Sequence, residues 1–281
     1  MFKKIKIILD MVKFQHSIFA LPFAFIGAFL AENKIPKINK LFWILTATVA
    51  ARNVAMAFNR LVDKDIDAKN PRTKHRALPK GLISENWVIG FIIFCALVFL
   101  FSAYNLNKLV FYLSPFVLIF IMFYSYTKRF SWLSHIFLGI SDGFAPFGGY
   151  LAIKPKFSIL SFLLLFGVAF WVAGFDIIYS CLDYEFDKKE GLYSIPVRFG
   201  VRNALYISLF FHILTIVCLY LIGKIALLKP IYFYILIIIS FLLIFEHFLI
   251  KENNFSLINL AFFKINGIIS IFAFLAVLLS I

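Results

Sequence analysis

About nine stretches of this chain are long and apolar enough to cross a lipid bilayer as helices, and no other feature constrains the fold as much. They fall at 15–32, 41–61, 87–107, 109–127, 133–153, 158–181, 203–223, 230–250 and 260–281. Hydrocarbon holds no water to pair with N–H and C=O groups, so runs of this length must satisfy their backbone internally, as helices. Hydrophobic types make up 63% of the residues, charged types only 15%, and the mean hydropathy is +0.94. That is too much apolar surface for either a soluble domain or a disordered chain. The prediction is an all-α, multi-pass transmembrane bundle, one integral-membrane domain over 1–281, built from two four-helix halves and an extra helix.

The net charge of +14 reads as topology before function. Lys and Arg concentrate in alternate connections, on the side that also carries the N-terminus, which predicts a cytoplasmic N-terminus in a cell inner (plasma) membrane. No nucleic acid and no obligate protein partner is expected, only substrates and the bilayer. The start, MFKKIKIILDMVKFQH, is basic and amphipathic with no small-residue cleavage site, so no cleavable signal is expected. Lys3, Lys4 and Lys6 suit an anchor to anionic lipid. Cys95, Cys181 and Cys218 have no paired spacing and read as free core thiols.

Nearly all the Asp residues lie in or beside two polar segments, one after the second apolar run and one after the sixth. In the first, Arg52, Asn59, Asp63 and Asp67 fall within about 80° of arc if the helix runs on past the membrane face. Asn59, Asp63 and Asp67 then form a ladder with steps of about 6 Å, while Asp65 points away as a solvated charge. In the second, Asp176, Asp183 and Asp187 share one face in the same way. Two such faces turned together bring at least five carboxylates close, and they repel unless cations neutralise them. Sparse oxygen ligands beside basic residues suit Mg²⁺ held jointly by protein carboxylates and a substrate diphosphate. Arg72, Arg76, Lys128, Arg129 and Lys189 are placed to meet the non-bridging phosphate oxygens. A single i, i+4 Asp pair would be an ordinary surface feature. Two matched faces in equivalent places favour a site, because acids at a membrane edge are costly.

These residues resemble the UbiA-type family of membrane aromatic prenyltransferases (4-hydroxybenzoate polyprenyltransferase-like), and the resemblance runs over essentially the whole chain. The family's first motif, Asn-Asp-x-x-Asp-x-x-x-Asp with a following Arg-x-Leu-Pro-x-Gly, here reads NRLVDKDID and then RALPKG. Asp176, Tyr179, Asp183, Asp187, Gly191 and Ser194 match the second motif, and Tyr124, Lys128 and Arg129 match a Tyr-x-x-x-Lys-Arg. Arg60 stands where the family has its first Asp, which removes one metal ligand. The resemblance implies an Mg²⁺-dependent transfer of a polyprenyl group from its diphosphate to a carboxylated aromatic ring in quinone biosynthesis, with diphosphate released and the site facing the cytoplasm. It also implies a place for Tyr124 in diphosphate binding. The acceptor is expected to be 4-hydroxybenzoate, with 1,4-dihydroxy-6-naphthoate or a related futalosine-pathway acceptor as the alternative, since NRxxD with NPRT and FQHSIFALPFAF looks like a branch that includes menaquinone-linked members.

Arg52 lies inside an apolar run, where an ionised residue faces the protein interior. The family places an Arg seven residues before the motif Asn, so Arg52 with Asn59 is assigned to the acceptor carboxylate. Asp142, in the Gly-rich GISDGFAPFGG, binds acceptor or pairs with Arg52, and its helix backbone is open to close approach by a ligand. Glu246 and Lys264 are expected to pair near the membrane surface. His16, His135, His212 and His247 show no ligand spacing and read as core or interfacial residues. An ion-coupled transporter is the rival from another class, but transporters place charges near the bilayer midplane. A head-group transferase would gather its Asp residues in one compact segment.

Overall fold

The computed structural model describes residues 2–13, 17–250, 258 and 264–281. His16 and most of the 251–259 connection lie outside the described residues. All the described secondary structure is helical: α1 (Phe2–Met11), α2 (Ser17–Glu32), α3 (Ile38–Val62), α4 (Lys64–Lys69), α5 (Glu85–Leu106), α6 (Lys108–Thr127), α7 (Ser134–Ile153), α8 (Ile159–Ser180), α9 (Tyr184–Glu190), α10 (Ile195–Phe199), α11 (Val201–Ile225), α12 (Pro230–Leu249) and α13 (Asn266–Leu278). Each expected apolar run carries one helix. Among the described residues, 7 helices are long and apolar enough to cross a membrane: α3, α5, α6, α7, α8 with its continuation to Glu190, α11 and α12. The apolar helices Leu21–Glu32 and Asn266–Leu278 are shorter.

Local chemistry sets the ends. The Asn107 side chain caps α6 by accepting from Val110 N at 3.0 Å. Ser158 and Ser161 bond reciprocally in a capping box that starts α8. Pro230 opens α12, where a missing N–H costs nothing, and Gly191 ends α9 at φ 69.

Hydrophobic side chains divide between two destinations. Ile, Phe and Tyr on α5, α6, α11 and α12 stand exposed, among them Phe94, Phe116, Ile237 and Phe241. In a bundle of this composition these faces meet lipid. One core gathers α1, α3, α5 and α6 around Val12, Val54, Val88 and Ile121. The other gathers α2, α8, α12 and α13 around Ala28, Val172, Leu243 and Ala276. The second core contains a buried polar chain: Trp171 Nε1 donates to Asn266 Oδ1 at 2.8 Å, and Asn266 Nδ2 donates to Glu246 Oε1 at 3.1 Å. This corrects the expected Glu246–Lys264 pair, since Lys264 is exposed and the fully buried Glu246 takes its partner from inside the bundle. The three cysteines are free and buried, as expected.

Helix α7 is the hinge between the cores, and glycines let it approach both neighbours. A Cβ on Gly149 would lie 2.0 Å from Ala24 O of α2, and one on Gly139 would lie 2.2 Å from Ala169 O of α8. Close backbone crossings of this kind hold membrane helices together, because lipid offers no hydrophobic drive between them. The α7 glycines therefore serve helix packing more than ligand approach. Gly148 differs, with nothing within 4 Å of an added Cβ. Gly149→Ala is expected to destabilise the purified protein by about 1–3 kcal/mol through overpacking. Gly148→Ala should leave stability unchanged or raise it by up to about 1 kcal/mol. Thermal unfolding in detergent would check both, and an unaltered midpoint for Gly149→Ala would remove the packing role.

Candidate active site

The two acidic segments, far apart in the chain, meet in space. α3 ends at Val62, yet its hydrogen bonding continues: Asp63 N bonds Asn59 O at 2.9 Å and Asp67 N bonds Asp63 O at 2.7 Å. The expected ladder therefore forms across a slight break, with Asn59 Nδ2 donating to Asp63 Oδ2 at 3.0 Å. The second segment bends more. Asp176 lies in α8, Asp183 in a 3₁₀ turn and Asp187 in α9.

Loop 70–84 stitches the segments together. Asn70 Nδ2 and Arg72 Nε donate to Asp183 Oδ1 at 3.0 and 2.9 Å, and Arg72 Nη2 meets the other oxygen. Arg72 Nη1 donates to the Tyr179 hydroxyl at 3.0 Å. Partial burial opposes the Arg72 charge, but its bonds to Asp183 outweigh that and leave its pKa raised. Lys69 and Glu190 add an ion pair at 2.7 Å. Arg76 Nη1 lies 2.7 Å from both oxygens of Asp67. Lys128 and Arg129, at the end of α6, hold Asp63 at 2.6 and 3.1 Å. The repulsion foreseen among the carboxylates is thus offset by the protein's own bases. Asp187 carries no ion pair among the described residues, and Asp65 is exposed.

Beside this charged cluster opens a cavity of about 760 Å³. Arg52, Arg60, Arg72, Arg76, Tyr124, Asp142, Asp176 and Tyr179 form its polar walls. Ile44, Leu106, Leu113, Val117, Ile121, Phe144 and Phe147 line the remainder. Asp142 lies deep in the bundle yet is exposed, because it faces this open space. Arg52 attracts it electrostatically and also donates to Val12 O at 3.2 Å. α1 forms part of the wall through Ile7, Asp10 and Met11, a role beyond the lipid anchor expected of the N-terminus. Lys189 stands exposed, outside the residues that line the cavity.

Besides Asn70 and the α1 wall, two further residues of the site escaped the sequence reading. His135 is buried and bonds Asp176 Oδ2 through Nδ1 at 2.7 Å. Its Nε2 accepts from Ile195 N at 3.3 Å, so the ring carries its proton on Nδ1 and donates it to the carboxylate. The available signal was the i, i+7 spacing of His135 and Asp142 on one helix face. The other residue is Arg60, noted in the sequence only as a departure from a motif.

Among the described residues no three His, Cys, Asp or Glu side chains form a group able to hold a metal alone. A donor set of separate carboxylates fits Mg²⁺ that takes its remaining ligands from substrate phosphate.

A helical membrane protein with two acidic segments and a basic loop over a largely apolar cavity is built for an amphiphile with an anionic head. The UbiA prenyltransferase family matches residues 20–268, and the chain belongs to that family. It is 31% identical over 203 residues to a 4-hydroxybenzoate solanesyltransferase of Synechocystis, covering 72% of this chain and 69% of that one. The apo structure of a UbiA homologue from Aeropyrum pernix superposes with a TM-score of 0.81 at 30% identity, over 94% of this chain and 95% of the other. A UbiA homologue from Archaeoglobus fulgidus bound to GPP and Mg²⁺ shares the fold, with a TM-score of 0.71 at 21% identity, over 96% and 99%. The chain is a membrane prenyltransferase.

His135→Ala is expected to lower prenyl-transfer turnover about 10-fold or more by freeing Asp176. His135→Asn, which keeps a donor near the position of Nδ1, should retain most of it. Steady-state rates of the two variants check this, and equal losses would mean that His135 serves packing alone.

Proposed function

We propose that this chain transfers a polyprenyl group from its diphosphate to 4-hydroxybenzoate, in quinone biosynthesis, as a single domain spanning a bacterial inner membrane. The observation that carries the reading is the meeting of Asp63, Asp67 and Asp183 with Arg72, Arg76 and Lys128, with Asp187 in the field of Lys128 and Arg72, beside a cavity whose remaining walls are largely apolar. The relative from Synechocystis supports the acceptor. The excess of Lys and Arg on the same side as the acidic segments supports an N-terminus and a site that face the cytoplasm.

The diphosphate belongs over the acidic segments, where Asn59, Asp63, Asp67, Asp183 and Asp187 would hold Mg²⁺, with Asp176 beside them. The metal would supply positive charge that stabilises the departing diphosphate. As substrate binds, Arg72, Arg76, Lys128 and Arg129 leave their Asp partners for phosphate oxygens, an exchange of one charge-assisted bond for another. The Tyr124 and Tyr179 hydroxyls face the same space and donate to the head group. The C–O bond to the first prenyl carbon breaks, and the apolar walls exclude the water that would quench the allylic cation. Arg52, with Asp142 in its field and Asn59 about two turns further along the same helix, holds the acceptor carboxylate so that the ring carbon ortho to the phenol faces the cation. That carbon forms the new C–C bond, and the ring proton leaves as aromaticity returns.

The test supplies purified protein with geranyl diphosphate and Mg²⁺, offers 4-hydroxybenzoate and 1,4-dihydroxy-6-naphthoate separately, and detects product by mass. Prenylated hydroxybenzoate is the expected product, whereas product from the naphthoate alone would replace the acceptor. Asp63→Asn or Asp183→Asn should cost about 100-fold or more, and EDTA should stop turnover until Mg²⁺ is returned. Near-normal rates in either variant would remove the metal-site assignment.

A further inference from the structure

Arg60 differs from the four bases that hold Asp63, Asp67 and Asp183. Arg72 is held by Asp183, Arg76 by Asp67, and Lys128 and Arg129 by Asp63. Arg60 is half-buried, lines the cavity, and forms no ion pair among the described residues. Its one hydrogen bond there goes to Asn59 Oδ1 at 3.5 Å, at the limit of the range. Its charged neighbours include another cation, Arg76, while Asp67 and Asp63 act on it only from a distance.

The ordinary explanation for a base at this place is the negative end of a helix, since Arg60 sits in the last turn of α3. Three carbonyls of that turn are already engaged. Asn59 O and Leu61 O accept from Asp63 N, and Val62 O accepts from Arg129 at 2.9 Å. A guanidinium partly withdrawn from water with no carboxylate in ion-pair contact carries a cost, and a protein keeps one where an anion arrives to meet it.

We propose that Arg60 binds the diphosphate as a standing cation, one that meets phosphate oxygens without surrendering an internal ion pair and so works without a divalent metal. This rests on the prenyl diphosphate reading above. The other bases must exchange an Asp for a phosphate, and that exchange is favourable once Mg²⁺ takes the Asp. For Arg60 nothing is given up, so its contribution is present with or without Mg²⁺. The chain has thereby replaced one acidic ligand of the first motif by a fixed positive charge, and its hold on diphosphate depends less on metal.

The test titrates geranyl S-thiolodiphosphate, which resists cleavage, into the purified full chain in detergent by calorimetry, in EDTA and in Mg²⁺. Binding to the unaltered chain is expected to persist in EDTA. Arg60→Gln should weaken it there about 10-fold or more, and Arg60→Lys should recover part of the loss. The unfolding midpoint of ligand-free Arg60→Gln should stay or rise, because a costly charge has gone. A structural arginine would behave in the opposite way, and a lowered midpoint with unchanged binding overturns the proposal. So does binding that needs Mg²⁺ in the unaltered chain, an outcome that leaves the prenyl diphosphate reading intact. Binding in neither condition removes that reading and this proposal with it.

Discussion

The architecture of the site depends on neutralising acids that the fold collects at a membrane edge. Asp63, Asp67 and Asp183 are each closed by a base from loop 70–84 or from the end of α6. These pairs do two things. They lower the cost of gathering carboxylates in a place of limited solvation, and they cross-link segments that no covalent connection brings together. Arg72 reaches from the first acidic segment to Asp183 of the second, so the loop that follows α4 is shaped by the residue it neutralises. Any ligand that carries its own cation and anion can take the places of these pairs one for one.

The cavity beside the cluster follows from how the helices pack. α7 leans on α2 and α8 through glycine-to-backbone contacts at Gly149 and Gly139, and this leaves α3, α6 and α7 walling an open space instead of closing on one another. Polar groups sit on the walls near the acidic segments, at Arg52, Arg60, Tyr124 and Asp176, and Ile, Leu and Phe cover the rest. α1 lies against this space and is held by Arg52 through Val12 O. A charged head and an apolar tail are thus accommodated in one continuous volume, as an amphiphilic substrate requires.

Polar groups inside the second bundle also pair across helices, although Glu246 Oε2 and His212 Nε2 have no hydrogen-bond partner among the described residues. Trp171, Asn266 and Glu246 link α8, α13 and α12, and His212 Nδ1 meets His247 Nε2 at 2.9 Å between α11 and α12. In lipid such bonds hold helices in register, because an unpaired polar group has no water to turn to. Glu246 was legible as an intramembrane acid but its partner was not, since Asn266 shows no charge to mark it in the sequence.

The chain's apolar runs determined that it would be a helical membrane bundle, because hydrocarbon admits few other structures for stretches of that length. The i, i+4 and i, i+7 spacings of Asn59, Asp63 and Asp67, and of Asp176, Asp183 and Asp187, likewise determined which side chains share a face, since a helix turns by a fixed angle per residue. Only the tertiary structure decided which base closes which acid, that His135 bonds Asp176, that Lys189 faces outward, and that Arg60 forms no ion pair among the described residues. Those outcomes depend on loop paths and helix crossings between residues distant in the chain. The periodicity of a single helix carries no record of them.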